Sequence, residues 1–269
     1  MRRMHICISS MRICISALKI EDGVILSEKS GRNEVEDVES TFAVSAPDMP
    51  CDQSFFETDL MNADLWVARG RYLMKALGRY SDALDAFERA IELDPSHARA
   101  WRGKAAALNN LDRYSEALEA CKRALELDPF NSRSWIVKGF AHHSLGEYEE
   151  AVKSYDRAIE LDPMGQDARR AWNNRGAALD NLGRHEDALR SYDEAIMLEP
   201  FDAYAWNNKG VSLVALKRYD DALLCFEKAI KIYPGYWTAW MNRGGCLKSL
   251  GRHEEAEESL EMARRIELS

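Results

Sequence analysis

Over the last three quarters of the chain, apolar and small residues follow two alternating helical patterns. In AWNNKGVSLVALKRYDDALLCFEKAIKIYP, Trp206, Gly210 and Leu213 stand at i, i+4 and i+7, one face of a helix. Past the break at Lys217 and Arg218, Ala222, Phe226 and Ala229 share a face of a second helix, which Pro234 stops. The pattern is periodic. Trp66, Trp101, Trp135, Trp172, Trp206 and Trp240 recur every 34 to 37 residues. Leu77, Leu111, Leu145, Leu182, Leu216 and Leu250 fall into register with them. So do two alanine columns, Ala83, Ala117, Ala151, Ala188, Ala222, Ala256 and Ala90, Ala124, Ala158, Ala195, Ala229, Ala263. The spacing predicts six helix pairs, over 64–97, 98–131, 132–165, 169–202, 203–236 and 237–269.

Terminal signals agree with this division. An acid opens every second helix (Asp82, Glu116, Glu150, Asp187, Asp221, Glu255), where it favours the helix dipole, and a proline closes five copies: Pro95, Pro129, Pro163, Pro200 and Pro234. Ala or Gly on the facing surfaces lets the axes approach while the aromatics fill the space beside them. Taken as buried, Trp172 or Trp206 would cost about 3–5 kcal/mol on truncation.

Trp, Gly, Leu, Ala, aromatic, Ala and Pro spread over about 34 residues resemble the tetratricopeptide repeat, and six copies in phase carry that resemblance. It implies an all-α fold: a right-handed α-solenoid of six helix-turn-helix units, with a mostly unstructured N-terminal leader before it. It further implies a concave groove, lined by the first helix of each repeat, that holds an extended peptide or a partner helix. Two departures stand out. The leucine expected just before the glycine is basic here (Arg69, Lys104, Lys138, Arg175, Lys209, Arg243), and the first copy has one extra residue between Gly70 and Leu77. The basic column reads either as stems packed on apolar neighbours with their charges in water, or as a ladder of cations for a polyanion.

Charge is unevenly placed. The formal total is −9, residues 1–20 carry four cations and no acid, and residues 21–63 carry eleven acids against two bases. An acidic array argues against nonspecific nucleic-acid binding. Residues 21–50 have too few large apolar side chains to bury and read as a flexible acidic segment, whereas Phe55, Phe56, Leu60 and Met61 in 51–63 suit an N-terminal cap. Glu257 and Arg264 replace the apolar residues of earlier copies and make the last face polar. The start, MRRMHICISSMRICISALKI, has the basic and apolar character of a targeting segment, but Arg12 splits the run and no small-residue cleavage site follows. A false upstream start codon or a short strand pair accounts for it equally. No apolar run spans a membrane, and the chain reads as cytoplasmic.

The six cysteines lack metal spacing, and Cys121, Cys225 and Cys246 fall in helices as reduced core thiols. His142 and His143 face different ways with no partner at metal spacing, and His185 and His253 stand in a tyrosine column as packing variants. Phosphate-cradling loops, nucleophile elbows and HExxH motifs are missing, so no enzyme activity, cofactor or metal is expected.

The candidate site is therefore the surface of the first helices opposite the Trp–Gly–Leu face. It comprises Arg99 and Arg102, Arg133 with Ile136 and Phe140, Arg170 with Asn173, and Tyr204 with Asn207 and Val211. Arg99, Arg102, Arg133, Arg170, Asn173 and Asn207 are the binding candidates. Guanidinium forks match carboxylates and asparagine amides match a backbone, so an acidic peptide or protein is the expected partner. Alternatively the arginines pair with acids of adjacent copies while Asn174, Asn208 and Asn242 brace neighbouring helices. Some relatives hold chaperone carboxyl-terminal peptides with a Lys and Asn clamp; the equivalent positions here are Val67 and Arg71, so that clamp is absent. The acidic leader also offers a self-associated or autoinhibited array, as a tail on its own groove or tail to groove in a homo-oligomer. The longer linker before Trp172, PMGQDARRAW, is expected to extend the fourth first helix and lift Arg169 and Arg170 at the rim.

Overall fold

The computed structural model describes residues 62–165 and 167–268. The expected acidic segment, and the cap at 51–61, lie outside the described residues. Among the described residues there are twelve α-helices. They are α1 (Ala63–Leu77), α2 (Tyr80–Leu93), α3 (Ala98–Asn110), α4 (Tyr114–Leu127), α5 (Ser132–Ser144), α6 (Tyr148–Leu161), α7 (Ala168–Asn181), α8 (His185–Leu198), α9 (Ala203–Ala215), α10 (Tyr219–Ile232), α11 (Trp237–Ser249) and α12 (His253–Glu267). Each odd-numbered helix pairs with the next and each pair packs on the following pair. Successive first helices touch one another, whereas no two second helices do. The first helices therefore line the tighter, concave side of a right-handed α-solenoid.

The small residues set that spacing. A Cβ at Gly176 would lie 2.6 Å from Tyr192 Cε1, and one at Gly103 would lie 2.3 Å from Phe87 Cε1. Phe87, Tyr155, Tyr192 and Phe226 are accordingly among the most deeply buried side chains, with Leu108, Leu179, Leu213 and Leu247 beside them. The tryptophans differ from expectation. Trp66, Trp101, Trp135, Trp172, Trp206 and Trp240 are only half-buried, so a full core penalty overstates their truncation cost. Their position has another reason: the indole N–H of Trp101, Trp135, Trp206 and Trp240 donates to the carbonyl of the proline six residues earlier, at 2.9–3.0 Å. Proline thus stops one helix and presents an acceptor to the next copy.

The basic column packs on these rings. Arg69, Lys104, Lys138, Arg175 and Lys209 each sit over the tryptophan three residues before, 4.9–5.7 Å from its centroid. Four of the column also reach an acid on the preceding second helix: Lys104 to Glu88, Arg175 to Asp156, Lys209 to Asp193 and Arg243 to Glu227. The equivalent position facing Lys138 is Lys122, so this joint lacks its carboxylate. Packing, rather than a polyanion ladder, accounts for the column.

Four details complete the frame. The extended linker adds one residue to α7, Ala168, which is buried, instead of a full turn. Arg169 is tied to Asp202, and Trp172 makes no bond to Pro163. Cys121, Cys225 and Cys246 are free and buried, and burial pushes the Cys121 thiol to about 12 and Cys225 to about 11. Glu257 and Arg264 are exposed where Leu84, Val152, Leu189 and Leu223, and Ile159, are buried. Among the described residues no helix is long and apolar enough to cross a membrane, and no group of three His, Cys, Asp or Glu is placed to hold a metal. His142 does have a carboxylate partner, Glu147 at 2.6 Å, which its sequence spacing did not reveal.

Candidate groove of the first helices

Three positions recur on the inner face of each first helix: one two residues before the tryptophan, one immediately after it and one five residues after it. In α1 to α5 they bring together Arg71, Arg99, Arg102 and Arg133. Arg102 is part-buried and donates to Asn131 Oδ1 at 2.9 Å, the same oxygen that caps α5 by accepting from the Ser134 amide. Burial, then the charges of Arg133, Arg71 and Arg99, pulls the Arg102 guanidinium below its ordinary pKa, while Asp167 opposes them. Arg99 donates to Asp64 at 2.9 Å, and Arg133 pairs with Asp167. Arg71 and Arg170 have no ion-pair partner among the described residues, and Arg170 is exposed. Five guanidiniums therefore face two carboxylates, so the pairing with neighbouring acids is real but incomplete.

The asparagines depart from expectation. Asn207 does not project into the groove: it is 3% exposed, and its Oδ1 accepts from Asn242 Nδ2 at 2.9 Å across the joint to α11. Asn173 Oδ1 likewise accepts from Asn208 Nδ2 at 3.2 Å. The next first helix closes over this side, so these amides fasten copies together. Ile136 is buried for the same reason.

Beyond α7 the groove changes character. Tyr204 (55% exposed), Val211 (43%) and Met241 (42%) replace the arginines, and Phe140 (44%) stands alone in the cationic half. Val211, Val214, Met241, Gly245 and Cys246 line a recess of about 200 Å³ between α9 and α11, with Phe226 and Asn242 also at its wall. A Cβ on Gly245 would meet nothing within 4 Å, so this glycine leaves space rather than making a close helix contact. Met241 and Gly245 were missed as groove residues, and Arg71, noted at a clamp position, was not counted among the binding candidates. All three were visible in register: Gly245 and Arg71 share the column of Val211, and Met241 that of Asn207.

Comparison with known proteins fits this architecture. Family profiles described as tetratricopeptide repeat match residues 61–132, then 132–164, 170–202 and 203–236, and 225–258. No curated protein matches the chain in sequence. Among solved structures, YrrB, titled a TPR protein with an unusual peptide-binding site, is 25% identical, with a TM-score of 0.53 over 70% of this chain and 94% of that one. MamA is 23% identical, TM-score 0.54, over 61% of this chain and 94% of its own. PilF of Pseudomonas aeruginosa is 19% identical, TM-score 0.67, over 75% and 90%. With every copy matched, and with the paired helices, their glycine-to-aromatic contacts and proline stops in place, the chain belongs to the tetratricopeptide repeat family.

Proposed function

We propose that this protein is a protein-interaction scaffold whose concave groove holds an extended acidic peptide. The observation that carries the reading is the excess of guanidinium over carboxylate on the first helices, centred on part-buried Arg102. Arg99, Arg102, Arg133 and Arg170 contact the ligand. Asn173 and Asn207 act one step back, by fixing the stacking of the helices that carry them. The peptide-binding site of YrrB supports the class of ligand, and the arginines support its charge.

Fluorescence anisotropy with labelled acidic, neutral and basic peptides of equal length tests it. The acidic peptide binds best, weakens with added salt, and loses most of its affinity to Arg102→Glu or Arg133→Glu. Equal binding of all three peptides, or indifference to both substitutions, rejects the groove. In the alternative reading, acidic residues 21–63 compete for the same arginines. It requires a chain beginning at Asn62 to bind the acidic peptide more tightly than the full chain does, and equal affinities reject it.

A further inference from the structure

The groove has two chemistries at a fixed separation, and a ligand that reads only one of them leaves the other half of the surface unused. Copies one to four present Arg71, Arg99, Arg102, Arg133 and Arg170, whereas copies five and six present exposed Tyr204, with Val211 and Met241 at the open recess beside Gly245. We infer that the partner is a bipartite extended segment, with carboxylates against the arginines and one leucine- or methionine-sized side chain seated in the recess of Val211, Val214, Met241 and Gly245. This rests on the groove reading and deepens it.

Three features argue for that occupant. The recess, at about 200 Å³, suits one aliphatic side chain and is too small for a helix. Its rim, Val211 and Met241, is apolar and exposed, so seating such a side chain removes apolar surface from water on both partners. The cationic half calls for acids on the same segment, because Arg71, Arg170 and Arg102 have no carboxylate of their own among the described residues. The separation is set by the stacking. Three first-helix steps lead from α3, which carries Arg102, to α9 at the recess, and first helices in contact run about 10 Å apart, so the span is about 30 Å. An extended chain covers that in about nine residues.

Gly245 supplies a test that leaves the fold alone. Gly245→Leu fills the recess from inside, meets no neighbour at its Cβ, and replaces a helical glycine by a better helix former. The probes are fluorescein-labelled peptides with about four glutamates, a Gly/Ser spacer of about six residues and a single leucine, in both chain directions, each beside its Leu→Gly counterpart. Leucine should tighten binding to the wild-type chain by about tenfold, add nothing in Gly245→Leu, and lose its effect when the spacer is cut to about two residues. Arg102→Glu should weaken both peptides.

An increment below about twofold, or one that survives Gly245→Leu, overturns the bipartite ligand. The groove reading stands in that case so long as the acidic peptide still depends on Arg102. Loss of that dependence sinks both.

Discussion

Gly176→Ala tests whether close approach of first and second helices holds each copy together. An added methyl in mid-helix normally stabilises by about 1 kcal/mol. Here it would sit 2.6 Å from Tyr192 Cε1 and 2.7 Å from Cζ, about an ångström inside van der Waals contact. The ring cannot swing away cheaply. Tyr192 is buried and its hydroxyl donates to Asp180 Oδ2 at 2.9 Å; the Ser212 hydroxyl of the next copy also donates to that oxygen, at 2.7 Å. Overpacking at such a site costs about 1–3 kcal/mol. After the propensity gain, a net loss of up to about 2 kcal/mol follows, or a fall in Tm of up to about 8 °C for an array of this size. Gly245→Ala, with nothing to meet, should rise by up to about 1 kcal/mol. Urea and thermal unfolding followed by far-ultraviolet circular dichroism gives both numbers, and Gly176→Ala with Tyr192→Leu should recover part of the loss. If Gly176→Ala gains about 1 kcal/mol, as an unhindered methyl in mid-helix would, the aromatic wedge does not set the helix spacing.

Other consequences follow from single contacts. Trp206→Phe should cost about 0.5–1.5 kcal/mol more than Trp172→Phe in urea unfolding, because only Trp206 gives up a bond to a proline carbonyl. Lys122→Glu should stabilise by about 0.2–1 kcal/mol, less in high salt, by giving Lys138 the acid its column has elsewhere; no gain at low salt would refute the joint's charge pattern. Burial holds the His143 imidazole below its ordinary value of 6.5, so the folded chain takes up its proton later than the unfolded chain does. The stability that this depressed pKa contributes is present above 6.5 and is lost as pH falls below it. His143→Gln should flatten unfolding midpoints across that range, and an unchanged profile would assign the acid loss to other groups.

The helix pairs and their faces were legible in the sequence because each copy buries the same side-chain types at the same offsets. The cation–acid bridges were legible too, once copies were aligned: Glu88, Asp156, Asp193 and Glu227 form a column of their own. Burial of Asn207 was not, since a helix wheel describes one helix in isolation and α11 covers this side chain from the neighbouring copy. The tryptophans looked like core for a related reason: size and period indicate packing, but only the fold distinguishes a ring in the centre from one capping a joint beneath a cation. The arginine cluster was half visible. Arg71, Arg99 and Arg102 occupy three different columns, and only stacking brings them within reach of one another.

The joints have an evolutionary reading. Three of the five are assembled from a proline carbonyl and an acid of one copy and an indole and a cation of the next; the joint at Trp135 lacks the acid and that at Trp172 the proline bond. Excision of residues 98–131 would leave Pro95 six places before Trp135 and give Lys138 the carboxylate of Glu88 in place of the ammonium of Lys122, but it would also set Val137 where Gly103 now lies against Phe87. Loss of the second copy, by the unequal exchange that lengthens and shortens tandem repeats, would thus close the gap with a seam better matched in charge but overpacked at Phe87. A second cost would fall on Arg99 and Arg102. In this chain the residues that hold the second copy in place are Gly103, which admits the Phe87 ring, and the arginines that face the groove.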